Sequence, residues 1–259
     1  MMVRFLKSQA TARAVLIHFG ISAGIALLMA FVVFGLWFGA PFRTLAGGLH
    51  LFWLLIGVDV VCGPLLTAVL FNPSKSRREL TLDLSLVALL QIAALAYGVY
   101  SIALARPVVV AAEVDRFVVV SAVQINRDDL HEAPTQFRKL SWTGPVVLGI
   151  RAPRDGDDTL RSIELSLQGM EPSVRPGWWQ NYEESRLAVQ SRMKPITALR
   201  AARPPEEQTA IDIAVQKTGQ PMDNIHYMPL VSSKSLDDWI ILLDEEANIV
   251  GQAPVGGFE

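Results

Sequence analysis

Three long apolar runs fill the first 105 positions, at residues 15–38, 45–71 and 81–105. Each is long enough to cross a bilayer as a helix, which takes about 20 apolar residues. The middle run reads LAGGLHLFWLLIGVDVVCGPLLTAVLF and carries an acid, Asp59, near its centre. An ionisable side chain at that depth costs about 2.5–3.5 kcal/mol on insertion scales, so it is expected to face protein or water. At 100° per residue Cys62 and Gly63 fall within about 60° of Asp59, and Thr67 within about 80°, with His50 on the far side. Pro64 has no N–H, so in an α-helix the Val60 carbonyl one turn back loses its donor. Freed carbonyls inside a membrane need another partner. Asp59, Gly63 and Pro64 therefore define a kinked polar seam.

The first run follows a basic segment holding Arg4, Lys7 and Arg13. It exceeds the 7–15 residues of a signal-peptide core and has no clear small-x-small site before Pro41, so it reads as an uncleaved first span. Ser22, Gly20 and Gly24 give it small positions for close helix approach. His18 is expected to be an interfacial residue rather than a ligand. The connection GAPFRT at 39–44 is short, which makes spans one and two antiparallel neighbours. In span three, Asp83 sits near the helix start, where the dipole tolerates it. Gln91 lies about 15 Å and Asp59 about 18 Å from the same membrane face, so they are expected to share a layer. Tyr97, Tyr100 and Ser101 mark the opposite interface.

Beyond residue 106 the pattern becomes that of a folded domain. PVVVAAEV (107–114), RFVVVSAVQI (116–125) and PVVLGIR (145–151) read as strands. TLRSIELSLQG (159–169), 182–200 with a break near Pro195, and 204–219 closed by Gly219 read as helices. HYMPLVSS reads as a strand, and the following segment as a hairpin turning at Glu245–Asn248. Strands from both ends of the domain are expected in one sheet. The fold class is a membrane protein: three transmembrane α-helices within residues 1–106, then an α+β domain at 107–259.

Composition sharpens this division. The chain is 51% hydrophobic, with a mean hydropathy of +0.33. Residues 1–106 hold 8 Lys and Arg against 3 Asp and Glu, and residues 107–259 hold 15 against 22. So acidic a domain is a poor binder of nucleic acid and is not expected to seek anionic lipid. Basic residues gather before span one and in NPSKSRRE at 72–79, while Arg43 and Arg106 flank the other face. The positive-inside bias then puts the N-terminus in the cytoplasm and residues 107–259 outside, in the periplasm of a Gram-negative cell. Cys62 is the one cysteine, so no disulfide forms within the chain.

Candidate chemistry is sparse. HExxH, CxxC, Walker A and GxSxG patterns are all missing. His131 and His226 are far apart in sequence, and the acidic turn Arg154–Asp158 lacks the spacing of a calcium loop. Trp178, Trp179 and Tyr182 form a cluster that is either core or an interface anchor, with core preferred. Asp59 stands out, because an ionisable group within a span is functional by default.

The stretch PFRTLAGGLHLFWLLIGVDVVCGPLLTAVLFNPSKSRREL with ARPVVVAAEVDRFVVV, and later LSWTGP, IELSLQGMEPSVRPGWWQ and LDDWIILLDEEANIVGQAPV, resembles the TfpX/TfpZ type IV pilin accessory proteins. The likeness covers nearly the whole chain. It implies a multi-pass bacterial inner-membrane protein, not an enzyme, that helps a particular major pilin enter or persist in type IV pili, in contact with the pilus assembly machinery. It brings no catalytic residue, metal or cofactor. The candidate partner contacts are Asp59, Cys62, Gly63, Pro64, Thr67, Gln91, Trp178 and Trp179. The alternatives are a membrane-anchored periplasmic ligand sensor, for which the inner loops offer no output domain, and a small transporter subunit.

Overall fold

The structure, a computed structural model, describes residues 2–258, with side chains from Gln9 onwards. Arg4 and Lys7, which the topology argument uses, lie outside the described side chains. The chain divides into two compact units. One comprises the residues up to 39 and 47–104. The other comprises 40–46 and everything from 105.

The first unit is helical. Helix α1 (Met2–Ala30) continues as a π-helix over Phe31–Trp37. After α2 (Phe42–Leu45), the second rod runs as α3 (Gly48–Ile56), a π-helical segment Gly57–Cys62, and α4 (Gly63–Leu70). The third is α5 (Arg77–Ala105). All three rods are long and apolar enough to cross a membrane, and they turn large apolar side chains such as Leu27, Trp53, Val69 and Leu86 outwards. A capping box starts α5: the Ser76 N–H and hydroxyl donate to Glu79, and the Glu79 N–H donates to Ser76 Oγ. Asp83 is paired with Lys75 at 2.5 Å.

The second unit is a mixed sheet with helices. Its strands are β1 (Pro107–Glu113), β2 (Arg116–Ser121), β3 (Val146–Ile150), β4 (Trp179–Gln180), β5 (Lys194–Pro195), β6 (His226–Ser232), β7 (Ile240–Leu243) and β8 (Ile249–Ala253). They run in the order β4-β3-β1-β2-β6-β7-β8, with β5 also on β6. The early hairpin and the late strands meet where β2 pairs in parallel with β6. Every residue of β1 is buried, as fits a strand covered on both faces.

The helices here are α6 (Gly156–Leu167), α7 (Tyr182–Gln190), α8 (Ile196–Ala202) and α9 (Pro205–Thr218). The break expected near Pro195 is real, and the short strand β5 occupies it. Helix α6 begins earlier than its apolar pattern suggests, because Asp155 caps it by accepting from the Asp158 N–H. Gly219 ends α9 at φ 71°, a left-handed position that suits glycine. The β7–β8 turn is closed by the Asp244 N–H to the Asn248 carbonyl and the Asn248 N–H to the Asp244 carboxylate. Tyr182 donates its hydroxyl to the Ala247 carbonyl at 2.6 Å, and burial pushes its pKa up to about 12.

Segment 40–46 is more than a connection. Leu45 is wholly buried among Val110, Phe117 and Leu230 of the sheet. Ser232 Oγ donates to the Leu45 carbonyl at 2.6 Å. Seven residues between two apolar helices thus form part of the second unit's core.

Candidate partner-binding site

The π-helical segment Gly57–Cys62 sets the geometry of the seam. A π-turn joins residue i to i+5 and widens the helix. In that register the donor facing the Asp59 carbonyl would belong to Pro64, which has none. The orphaned carbonyl is therefore that of Asp59, not Val60 as an α-helix would require. Gln91 of α5 supplies the missing donor, its Nε2 lying 3.3 Å from the Asp59 carbonyl. Asp59 and Gln91 do share a layer, yet their bond runs to the main chain and not to the carboxylate.

The same widening explains which residues face inwards. Asp59, Gly63, Pro64 and Thr67 are buried, whereas Cys62 is exposed. With four to five residues per turn here, positions i+4 and i+5 follow Asp59, and position i+3 swings away. The α-helical spacing that grouped Cys62 with the seam does not apply. Gly63 has no room for a side chain, because a Cβ there would collide with the Gln91 amide and crowd His18 Nε2. Gly98 is pressed against Leu55 in the same way. Gly20 and Gly24, by contrast, have open space beside them.

His18 has a partner that sequence did not reveal. Its Nδ1 lies 2.6 Å from Thr67 Oγ1, joining α1 to α4. With Ser22, which is buried, these groups line a cavity of about 530 Å³ between α1 and α5, with Asp59 and Thr67 contributed by the second rod. The remaining walls are apolar, including Ile21, Val87 and Leu95. Asp59 is only 7% exposed, and its Oδ1 has no hydrogen-bond partner among the described residues. An orphaned buried acceptor costs about 1–3 kcal/mol, more when charged. Chemically, this is an apolar slot with one unmet acceptor.

The tryptophan cluster of the second unit is core. Trp178 and Trp179 are both buried. Trp179 Nε1 donates to the Ser173 carbonyl at 2.9 Å. Arg151 and Arg175 stack on the Trp178 ring at 4.2 and 4.6 Å. Trp179 packs among Val108, Val120 and Leu148, whereas Trp178, though mostly buried, lines a groove with Arg151 and Arg175. Asp158 of the acidic turn is held by Arg151 at 2.7 Å and by the Arg154 N–H, which keeps its carboxyl below the usual range. No cluster of three or more potential metal ligands occurs among the described residues. Nearby, Glu113 is buried at the end of β1, and desolvation drives its carboxyl pKa up against the Ser173 N–H at 3.3 Å.

Comparison with known proteins adds independent findings. The sequence model of the family described as fimbrial assembly protein FimB matches residues 7–47. The chain is 33% identical over 243 residues to the fimbrial assembly protein of serogroup I of Dichelobacter nodosus, covering 94% of each chain. The serogroup E1 protein of that organism gives the same identity and coverage. The protein of serogroups C1 and C2 is 43% identical over 117 residues, which is 45% of this chain and 89% of the relative. No solved structure matches.

Proposed function

Because the chain belongs to the family of fimbrial assembly proteins, we propose that it serves type IV pilus biogenesis as a membrane-embedded accessory factor acting on a specific pilin by direct contact. In this reading the three apolar rods cross the bacterial inner membrane, with the N-terminus in the cytoplasm and residues 105–259 in the periplasm. Two observations support that orientation. Segment 40–46 and the chain from 105 fold as one unit, as an odd number of spans requires. Next to the spans, Arg4, Lys7, Arg13, Lys75, Arg77 and Arg78 on the other side outnumber Arg43 and Arg106 here, and Arg106 is buried with its guanidinium 4.0 Å from the Trp142 ring.

The observation that carries the proposal is the buried Asp59 carboxyl group, which lines an apolar cavity and has no hydrogen-bond partner among the described residues. Of the polar groups on the cavity, Gln91 donates to a carbonyl and His18 Nδ1 is bonded to Thr67, while among the described residues no hydrogen bond joins Ser22 to Asp59. A pilin helix entering the cavity between α1 and α5 brings the missing donor. One such interhelical hydrogen bond is worth about 0.6 kcal/mol, at most about 1.7. It therefore positions the partner while apolar packing supplies most of the affinity.

Asp59→Leu tests this. Surface fibres should fall while immunoblots show an unchanged amount of the accessory protein. Normal piliation in that variant refutes the seam as the contact. A second measurement covers loss of folding: a cysteine at Ala88, in a Cys62→Ala background, should crosslink to the pilin helix. Absence of any pilin adduct there refutes the site even if Asp59→Leu is degraded.

A further inference from the structure

We propose that the groove bounded by segment 40–46, α9 and the outer edge of β8 is a binding site for the phosphate headgroup of an anionic phospholipid. The groove has a volume of about 530 Å³. Its charged lining residues are Arg43 and Lys217, and among the described residues neither aspartate nor glutamate lines it. Both cations are exposed, and neither takes part in an ion pair among the described residues. Thr44 and Gln252 add hydrogen-bonding groups, and Ile213 and Trp239 add apolar surface. Two cations, the Gln252 amide and an apolar wall match a phosphodiester with the first carbons of its glycerol, the Thr44 hydroxyl already donating to the Pro41 carbonyl.

Charge complementarity and chain connectivity select a lipid as the occupant. Segment 40–46 leaves one long apolar helix and enters the next, so a bilayer crossed by those helices has its surface at this segment. This step rests on the spanning arrangement proposed above. A tryptophan at that level is usual, because its ring suits the headgroup layer. The segment's position is fixed by the burial of Leu45 and by the Ser232 bond, so Arg43 is held on the groove by folded structure. The domain as a whole is acidic and is repelled by an anionic surface. A local cationic groove without acids gives that domain one defined point of attachment.

The test uses the full-length protein in an uncharged detergent. Phosphatidylglycerol, phosphatidylcholine and glycerol 3-phosphate are each titrated in, and retained molecules are read by native mass spectrometry. The wild type should retain phosphatidylglycerol in preference to the other two. R43Q/K217Q should bind it about 30-fold more weakly, each surface cation contributing about fivefold. Equal retention by R43Q/K217Q, or no preference over phosphatidylcholine, overturns the site. Glycerol 3-phosphate binding as tightly as the lipid overturns the choice of a lipid. Flotation of each protein with phosphatidylcholine vesicles in alkaline carbonate separates the two readings. Failure to float refutes the spanning arrangement, whereas a floating protein without phosphatidylglycerol preference refutes the groove alone.

Discussion

Replacing Leu45 by alanine asks whether the short segment between the first two rods is a structural part of the second unit. Leu45 is wholly buried, and its neighbours Val110, Phe117 and Leu230 belong to three adjacent strands. Leucine-to-alanine changes in cores cost about 2–5 kcal/mol, and the cost rises when the cavity cannot close. Here the walls are held by the ladders joining β1, β2 and β6, so collapse is restricted. We therefore expect about 3–4 kcal/mol, a large share of the roughly 5–15 kcal/mol that stabilises a domain. The assay is urea-dependent pulse proteolysis of the full-length protein in detergent, following the fragment that contains β1 to β8. Leu49→Ala, at an exposed position on α3, is the control. Ser232→Ala should cost about 1–2 kcal/mol by leaving the Leu45 carbonyl without its donor, and should be non-additive with Leu45→Ala. A loss below about 1 kcal/mol for Leu45→Ala, or one matched by Leu49→Ala, refutes the reasoning.

Glu113 gives a pH dependence. Burial raises its carboxyl pKa in the folded state, so that state holds the proton to higher pH than the unfolded chain does. The stability it contributes is full below the ordinary glutamate value and is lost as pH rises through the raised one. Glu113→Gln should match the wild type at acid pH and exceed it at neutral pH in urea midpoints; an unchanged pH slope would show that Glu113 is not the titrating group. Gly63→Ala should destabilise the helical unit by about 1–3 kcal/mol through overpacking, because the new methyl meets Gln91 and His18. Gly20→Ala, with open space, should be neutral. Equal resistance of both variants to unfolding in sodium dodecyl sulfate would contradict the close approach at Gly63.

Much of the architecture was legible because it depends on patterns of short range. The three apolar runs, the β-branched strands near 107–121 and the turn at Glu245–Asn248 all announce themselves within a few residues. The capping box Ser76–Glu79 had an S-x-x-E signature that could have been found. Four features were not legible. Segment 40–46 looked like a linker because the partners of Leu45 lie more than 60 residues away. The strands β4 and β5, two residues each, have no periodicity of their own. The π-helical segment was hidden because hydrophobic spacing assumes 100° per residue, and that assumption misplaced Cys62 and moved the orphaned carbonyl by one residue. His18 lacked a visible partner because Thr67 is 49 positions distant.

The seam's energetics then narrow where its remaining donor comes from. Proline at position 64 frees one main-chain acceptor, and Gln91 answers it. Having done so, Gln91 is spent, and the glycine that admits it leaves no side chain at position 63 to help. His18 faces Thr67 on the same slot. What is left over is the Asp59 carboxyl group, 7% exposed and without a hydrogen-bond partner among the described residues, beside a cavity whose walls are mostly hydrocarbon. Lipid tails carry no donor. A polypeptide helix offers both a donor and an apolar surface to fill the slot. Under the function proposed above, a fibre subunit is the helix that would meet this requirement.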